Sequence, residues 1–596
     1  MSRQKDAALN AMRKLSPRRN TTKATTIDQL AEEQLVHFGI DSKSEYGRTL
    51  ASLARRLYEA ATDADHLWQL TQQTIDGLDR SDRIAYFNAK KFLSFQTAKL
   101  LDTIQNPFRR SYQALKLNYS TQTAKGPYAV FDNVTAVFSA TPVITRTATY
   151  IYACAEWIED AFQGKELLLE IYSRLLNPTS VSLANFIVDI EAGPYASEYF
   201  AWNFNSGMAA IDGVLSHVLG RDDVLITSGS IYGGAHQLIH DWYAKPSNLA
   251  ICVETFAGYE VDDFEQCWKR AEQKYSDRFA AGRKAYVYLE SPCNPHGYVL
   301  DVPAICRSAH AHGLRVLLDA TVGTPFLVQS LQREDPVERP DFVIHSYTKD
   351  LSGTGSTIAG GVIGRNEDMF LPKGASGENV SWNETMFWNV YYVKGAFLNA
   401  DAAYEVIQGM RTLGVRMLTK CINTRILARF FDSHPSIRVH CNELADDENS
   451  ELRERLLFLG LPAPLFTIDI DGVPGDAFQR FFDSLEPAFS HMISLGQSNT
   501  IVNCPALTTH SELDNEALAA SGIGPTTIRL AIGDEDPKDL ISHFLQAAKL
   551  TIDPHVSGFM DGFLTPDEID KLVEECYLES HAKYVRSKSP MGVYLE

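Results

Sequence analysis

Apolar residues recur at three- and four-residue spacing from about 27 to 118, the period of a helix with one covered face. "YGRTLASLARRLYEAA" puts Leu50, Leu53, Ala54 and Leu57 on one side, and "NAKKFLSFQTAKLLDTIQNP" repeats the pattern with Phe92, Phe95 and Leu100. Pro107 is expected to end that helix. From about 190 to 365 the texture changes to short apolar runs separated by helical stretches such as "VPAICRSAHAHG". "VLIT" (224–227), "NLAICVE" (248–254), "KAYVYLE" (284–290), "RVLLDA" (315–320) and "DFVIHS" (341–346) are predicted strands. Strands joined by helical crossovers predict an α/β fold with a mainly parallel sheet covered on both faces. Between about 405 and 552, "LFTIDIDG" and "TTIRLAIGDEDPKDLISHFLQAAKL" suggest a smaller α+β domain, followed by a tail over 553–596. The chain shows no internal repeat and no long low-complexity tract.

Composition narrows the class. A chain of 596 residues, 45% hydrophobic, is long enough for two to four domains. A formal charge of −20 argues against nucleic acid or an acidic membrane surface as the main partner. No run reaches the roughly 18–20 apolar residues of a spanning helix, and the basic N-terminus lacks the apolar core of a secretory signal. The N-terminal stretch is read as disordered lead-in. The nine cysteines form no CxxC pair, which fits reduced, mostly buried thiols in the cytoplasm. His310 and His312 lie two apart in "SAHAHG", a spacing that points them differently on a helix, so no metal site is expected.

Candidate chemistry gathers at the strand ends. Glu290, Asp319 and Lys349 each close or follow a predicted strand, and ligands of parallel sheets sit beyond the strands' carboxyl ends. In "DFVIHSYTKDLSGTGSTIAGG" (341–361) a lone lysine stands between hydroxyl residues and a run of small ones. It precedes the glycines, and no GxxxxGK is present, so this is not a nucleotide loop. Pyridoxal 5′-phosphate needs a lysine amine for its imine and a carboxylate on its ring nitrogen. Its phosphate needs backbone N–H groups at a helix start, with hydroxyls beside them. Lys349 and Asp319 can supply the first two. Gly207 and Met208, in the turn "NSGMAAI" before an apolar helix, can supply amides, and Ser346 and Thr348 hydroxyls. Taken singly, each residue has a structural alternative: a strand-end Asp can cap a helix, and Tyr232 can be an ordinary buried aromatic. Their order and context together point to the cofactor.

From about 126 to 552 the chain resembles the pyridoxal-phosphate enzymes of cysteine and methionine metabolism, the trans-sulfuration family. The resemblance runs through "YSRLLNPTSVSLANFIVDIEAG" (172–193), "NSGMAAI" (205–211), "YGGAHQL" (232–238), "ESPCNP" (290–295), "LDATVGTP" (318–325) and "HSYTKDLSG" (345–353). It continues in "QGMRTLGVRM" (408–417), "SLGQSNTIVNCPALTTHS" (494–511) and "GIGPTTIRLAIGDEDPKDLI" (522–541). The fold this implies is fold type I, aspartate aminotransferase-like, with a sheet of the seven-stranded type. The implied layout is a helical extension (1–125), an arm contacting a neighbouring subunit (126–192), a cofactor-binding large domain (193–404), a small domain (405–552) and the tail.

The resemblance also implies roles. Lys349 would be the imine lysine and the base that moves protons between substrate carbons. Tyr232 would stack on the ring and assist proton transfer or the leaving group. Asn294 would sit beside the ring's phenolic oxygen, supported by Glu290, and the cofactor-binding set would also take in Ser206 and Thr321. Tyr172 and Arg174 would reach the phosphate of the neighbouring subunit, making a homodimer the active unit within a homotetramer. Arg529 would clamp the substrate's α-carboxylate, with Ser494 nearby.

Several positions depart from the family pattern. Asp319-Ala320-Thr321 stands where D-N-T is usual, Asp350 follows the lysine in place of tyrosine, and Gly353-Thr354 replaces a G-H pair. "QREDPVERP" adds loop length before the lysine strand, and "YGGAHQL" lacks the cysteine that methionine γ-lyases often place after the tyrosine-glycine pair. The expected activity is γ-replacement or γ-elimination on a homoserine- or methionine-derived amino acid, nearest the O-acetylhomoserine sulfhydrylase and methionine γ-lyase branch. A cystathionine γ-synthase or lyase is the alternative. An aminotransferase would need a second carboxylate-recognising site that no motif marks, and a non-catalytic scaffold would have little use for both Lys349 and Asp319.

Overall fold

A computed structural model describes residues 22–125, 139–152, 154–163, 171–378, 380–505 and 524–588. The chain divides into two compact units. The first holds Met1–Val143, Thr147–Ser173 and Met591–Glu596, and the second holds Ile144–Arg146 and Arg174–Pro590.

The first unit is helical, with long helices at Glu45–Thr74 and Arg80–Ala114 after a shorter one at Ile27–His37. Each long helix begins on a side-chain cap: Ser44 accepts from the Gly47 N–H, and Asp79 from the Asp82 N–H. The expected stop at Pro107 is corrected, because the second long helix runs through it to Ala114. Proline removes one backbone donor there, and the helix-forming residues on both sides carry the turn across the gap. Among the described residues, Ala24, Leu30, Ala31 and Tyr58 form a buried apolar cluster in this unit.

In the second unit, among the described residues, seven strands form the larger sheet: β1 (Tyr199–Phe204), β2 (Val224–Ser228), β3 (Cys252–Phe256), β4 (Ala285–Glu290), β5 (Arg315–Asp319), β6 (Phe342–His345) and β7 (Gly360–Arg365). Their order is β1-β7-β6-β5-β4-β2-β3. β7 runs antiparallel to both neighbours and every other pairing is parallel. Every residue of β2, β4 and β6 is buried, so both faces of the sheet are covered. The five predicted strands are all present, and β1 and β7 are additional. A second sheet of β8 (Ile437–His440), β9 (Leu465–Ile470), β10 (Ser490–His491), β11 (Ile501–Asn503) and β12 (Ile528–Ala531) has the order β10-β11-β12-β9-β8. The helix Leu413–Asp432 packs on β8 and β9. The tail contributes the helix Pro566–Arg586, which lies on Leu413–Asp432 and receives bonds from Arg425 through Ser580 and Glu579. Among the described residues no helix is long and apolar enough to cross a membrane, and none of the nine cysteines forms a disulfide. Residues 506–511 and 522–523 of the last two sequence motifs lie outside the described residues.

Candidate active site

Parallel pairing sets Glu290 at the end of β4 directly opposite Asp319 at the end of β5. Both carboxylates are buried. Asp319 Oδ1 accepts from the Thr321 hydroxyl at 2.6 Å and the Thr321 N–H at 3.0 Å. Its other oxygen has one long contact, with the Tyr288 hydroxyl at 3.5 Å. Burial pushes the Asp319 carboxyl above the usual range, against the pull of those Thr321 bonds. The Thr321 hydroxyl also accepts from the Ser346 N–H at 2.8 Å, which ties the end of β5 to the loop carrying the lysine. Glu290 accepts from two backbone donors, the N–H of Tyr232 at 2.6 Å and of Asn294 at 3.1 Å. Burial and the Asp319 charge push it well above its ordinary value, opposed by those donors. Thus one carboxylate anchors the backbone of two predicted site residues, and the other keeps an oxygen without a strong donor.

Lys349 follows β6, and its Nζ donates to Ser494 Oγ at 3.1 Å. The Ser494 carbonyl accepts from Arg529 Nη2 at 2.6 Å, and Arg529 Nη1 donates to Asn294 Oδ1 at 3.1 Å. Four predicted residues from both sheets therefore form one chain of contacts: Lys349, Ser494, Arg529 and Asn294. Burial lowers the Arg529 guanidinium to about 10, which leaves it cationic at neutral pH, and its buried Nε has no acceptor among the described residues. Burial, then the Arg529 charge, lowers the Lys349 amine below its ordinary value, with Asp350 pulling the other way.

The helix Gly207–Val218 begins beside this group. Ser206 caps it by accepting from the Ala209 N–H at 3.1 Å, leaving the Gly207 and Met208 amides at the open first turn. A Cβ on Gly207 would lie 2.7 Å from Ser346 Cβ, so this position requires glycine for the helix start to meet the lysine loop. The Tyr232 ring and the Met208 thioether flank Gly234, at 2.6 Å and 3.0 Å from where its Cβ would stand. Tyr232 itself is 46% exposed, which is not the burial of a core aromatic. The Thr348 hydroxyl exchanges bonds with the Ala359 carbonyl and N–H, so it braces the loop between β6 and β7. Arg174 donates to the Tyr392 carbonyl at 2.8 Å. Tyr172 belongs to the first unit, where it bridges to Thr149.

Two contacts at this site have little or no signal in the sequence. Tyr288 reaches Asp319 from β4, and two-residue alternation toward Glu290 was the available signal. The Asp350 carboxylate, buried beside Lys349, pairs with Lys420 Nζ at 2.7 Å. Nothing in the local sequence marks a lysine on a distant helix as its partner.

A parallel sheet with an amine and a carboxylate at adjacent strand ends, and a glycine-started helix against them, has the architecture of a fold type I pyridoxal 5′-phosphate enzyme. The donor set fits that group: Asp319 retains an oxygen for a protonated ring nitrogen, and the Gly207 and Met208 amides suit a phosphate. The family described as Cys/Met metabolism PLP-dependent enzymes matches residues 130–549. The chain belongs to it. An L-methionine gamma-lyase of Porphyromonas gingivalis is 29% identical over 68% of this chain and 90% of its own length. An O-succinylhomoserine sulfhydrylase of Mycobacterium tuberculosis is 30% identical over 66% of this chain and 88% of its own. Among solved structures, one from Campylobacter jejuni, provisionally assigned as an O-acetylhomoserine (thiol)-lyase, contains N′-pyridoxyl-lysine-5′-monophosphate. It superposes with a TM-score of 0.60 at 28% identity, covering 69% of this chain and 96% of that one.

Proposed function

We propose that the protein catalyses γ-replacement on a homoserine-derived amino acid, in the manner of a sulfhydrylase. The observation that carries this reading is the contact chain from Lys349 Nζ through Ser494 to Arg529, which joins a buried amine to a buried cation and so supports a base beside a carboxylate clamp. The bound cofactor supplies an electron sink for charge developing at the substrate's Cα. Arg529, with Ser494, holds the α-carboxylate. Lys349, lowered in proton affinity, would accept the Cα proton, pass it to the electron sink that the cofactor supplies, and so be neutral again to take one from Cβ, after which the γ-substituent can leave. Tyr232, half exposed at the rim, assists that leaving group. Asp319, oriented by Thr321, pairs with the ring nitrogen. Glu290 fixes Asn294 and Tyr232, while Ser206, Gly207, Met208, Ser346 and Thr348 form or brace the phosphate cradle. Tyr172 and Arg174 serve the cofactor of a second copy in a homodimer, within a homotetramer in the cytoplasm. The expected five-part domain layout accompanies this reading.

γ-Elimination on methionine is the second reading, favoured by the methionine γ-lyase relatives and weakened by the missing cysteine after Tyr232-Gly233. The test is purified full-length protein with pyridoxal phosphate, offered O-acetyl-L-homoserine with sulfide, L-methionine and L-cystathionine in turn. Homocysteine from the first substrate is expected, and 2-oxobutanoate with ammonia from methionine would favour the second reading. Lys349→Ala is expected to remove the visible absorbance band and at least ~10³-fold of turnover, the scale of losing a base that also binds the cofactor. A chain that turned over no γ-substituted amino acid would overturn both readings.

A further inference from the structure

Lys420 stands on the helix Leu413–Asp432 with no solvent exposure. Its Nζ donates to Asp350 Oδ1 at 2.7 Å and to the Gln497 carbonyl at 2.5 Å. Asp350 is the residue after Lys349, and Gln497 lies three residues after Ser494. One ammonium therefore grips both loops whose side chains meet in the Lys349–Ser494 contact. The loops press together at Gly496, whose φ of +78° and approach to Asp350 N and Lys349 Cβ (2.5 Å and 2.8 Å from a built Cβ) exclude a side chain. Arg416, one turn earlier on the same helix, donates to the Asp350 carbonyl at 2.9 Å and braces the lysine loop from the same side.

We propose that Lys420 is a positioning residue: it holds the 494–498 loop against the lysine loop and so sets the span between the Lys349 amine and the Ser494–Arg529 group. The meaning of that span as base-to-carboxylate distance rests on the proposed function. A buried ion pair is a costly way to fill space, and an apolar pair of similar volume would stabilise the fold about as well. The apolar pair could not make the second bond, to Gln497. A lysine read from its helix alone is a solvated charge; only the fold brings it to Asp350.

The test uses the full-length chain, with and without pyridoxal phosphate, as Lys420→Met, Asp350→Leu and the double variant. Each single change strands a buried charge and is expected to lower the thermal midpoint, and the double variant is expected to recover it. Amides of 494–498 in the double variant should nevertheless exchange with deuterium ~10-fold faster than in the parent protein, as for loss of one charge-assisted hydrogen bond. KM for the amino acid turned over should rise by a similar factor, with kcat changed less. Parental exchange in that loop together with a recovered midpoint would overturn the proposal, leaving the pair as packing. Asp350→Asn with Lys420→Met, which also removes both charges and the donor to Gln497, gives the same comparison if the Met/Leu pair does not fold. Unfolding of both double variants would also overturn it, by placing the pair's contribution in global stability. Exchange is read whether or not any γ-substituted amino acid reacts, so failure of the proposed reaction leaves this test standing.

Discussion

Around Lys349, burial and the nearby Arg529 cation both disfavour a charged amine, while Asp350 favours it. Burial is the largest of the three, and the balance is downward. The amine's ordinary value is 10.5, and the folded value lies below it. Between the two values the unfolded chain binds the extra proton, so the cofactor-free protein gains stability from this group as pH rises through that window. The neutral amine is also the form that attacks an aldehyde. Uptake of pyridoxal phosphate by the cofactor-free protein should therefore accelerate with pH, with a midpoint below that of a free lysine. Arg529→Gln removes one cause and should move the midpoint upward, as followed by visible absorbance across a pH series; an unmoved midpoint would assign the shift to burial alone. The identities of these groups were legible in the sequence because their types suit one cofactor. Their electrostatics were not, since Asp350 reads as an unexplained substitution until Lys420, seventy residues on, arrives beside it.

At the level of elements, the site depends on how closely the helix Gly207–Val218 approaches the end of β6. Gly207→Ala has two opposed effects. Alanine favours a helix by up to ~1 kcal/mol over glycine, less at the first position than in the interior. Its Cβ would meet Ser346 Cβ at 2.7 Å and Oγ at 2.8 Å, and relieving such overpacking costs ~1–3 kcal/mol. The clash wins, and the helix start must withdraw from the lysine loop. The thermal midpoint without cofactor should fall by the net of the two effects, and pyridoxal-phosphate affinity measured by equilibrium dialysis should fall as the Gly207 and Met208 amides withdraw; unchanged affinity would remove this helix start from the phosphate site. The parallel strands β2 to β6 were readable because apolar, β-branched runs end at turn residues. β7, "GGVIGR", was hidden by its glycines, which weaken strand propensity. Those glycines answer tertiary demands, since a Cβ on Gly360 would strike the Ser206 carbonyl and one on Gly364 the Phe342 ring. Likewise β1, "YFAWNF", shows no polar alternation because every residue but Phe200 is buried.

For the whole molecule, the open question is what the helical extension does. Among the described residues, Ala24, Leu30, Ala31 and Tyr58 form a buried apolar cluster in a unit that carries helices of 30 and 35 residues. Within that unit Trp68, Ile84, Phe87, Phe92 and Leu93 stay more than half exposed. Phe92 and Leu93 are adjacent on the helix and so point about 100° apart, which means that covering both takes a wide apolar contact. Side chains of this size gain ~1.5–3 kcal/mol each when fully buried, so an extension left uncovered would forfeit several such contributions. A net charge of −20 opposes indiscriminate clustering, which leaves specific burial as the way to cover them. The full-length chain should therefore sediment as an assembly of several copies, and deletion of residues 1–125 should reduce that assembly or change KM. Sedimentation velocity and steady-state kinetics on the two proteins separate these outcomes. A deletion that changed neither would mean that the apolar faces serve no contact this enzyme needs, and that the catalytic unit is complete from its two sheets alone.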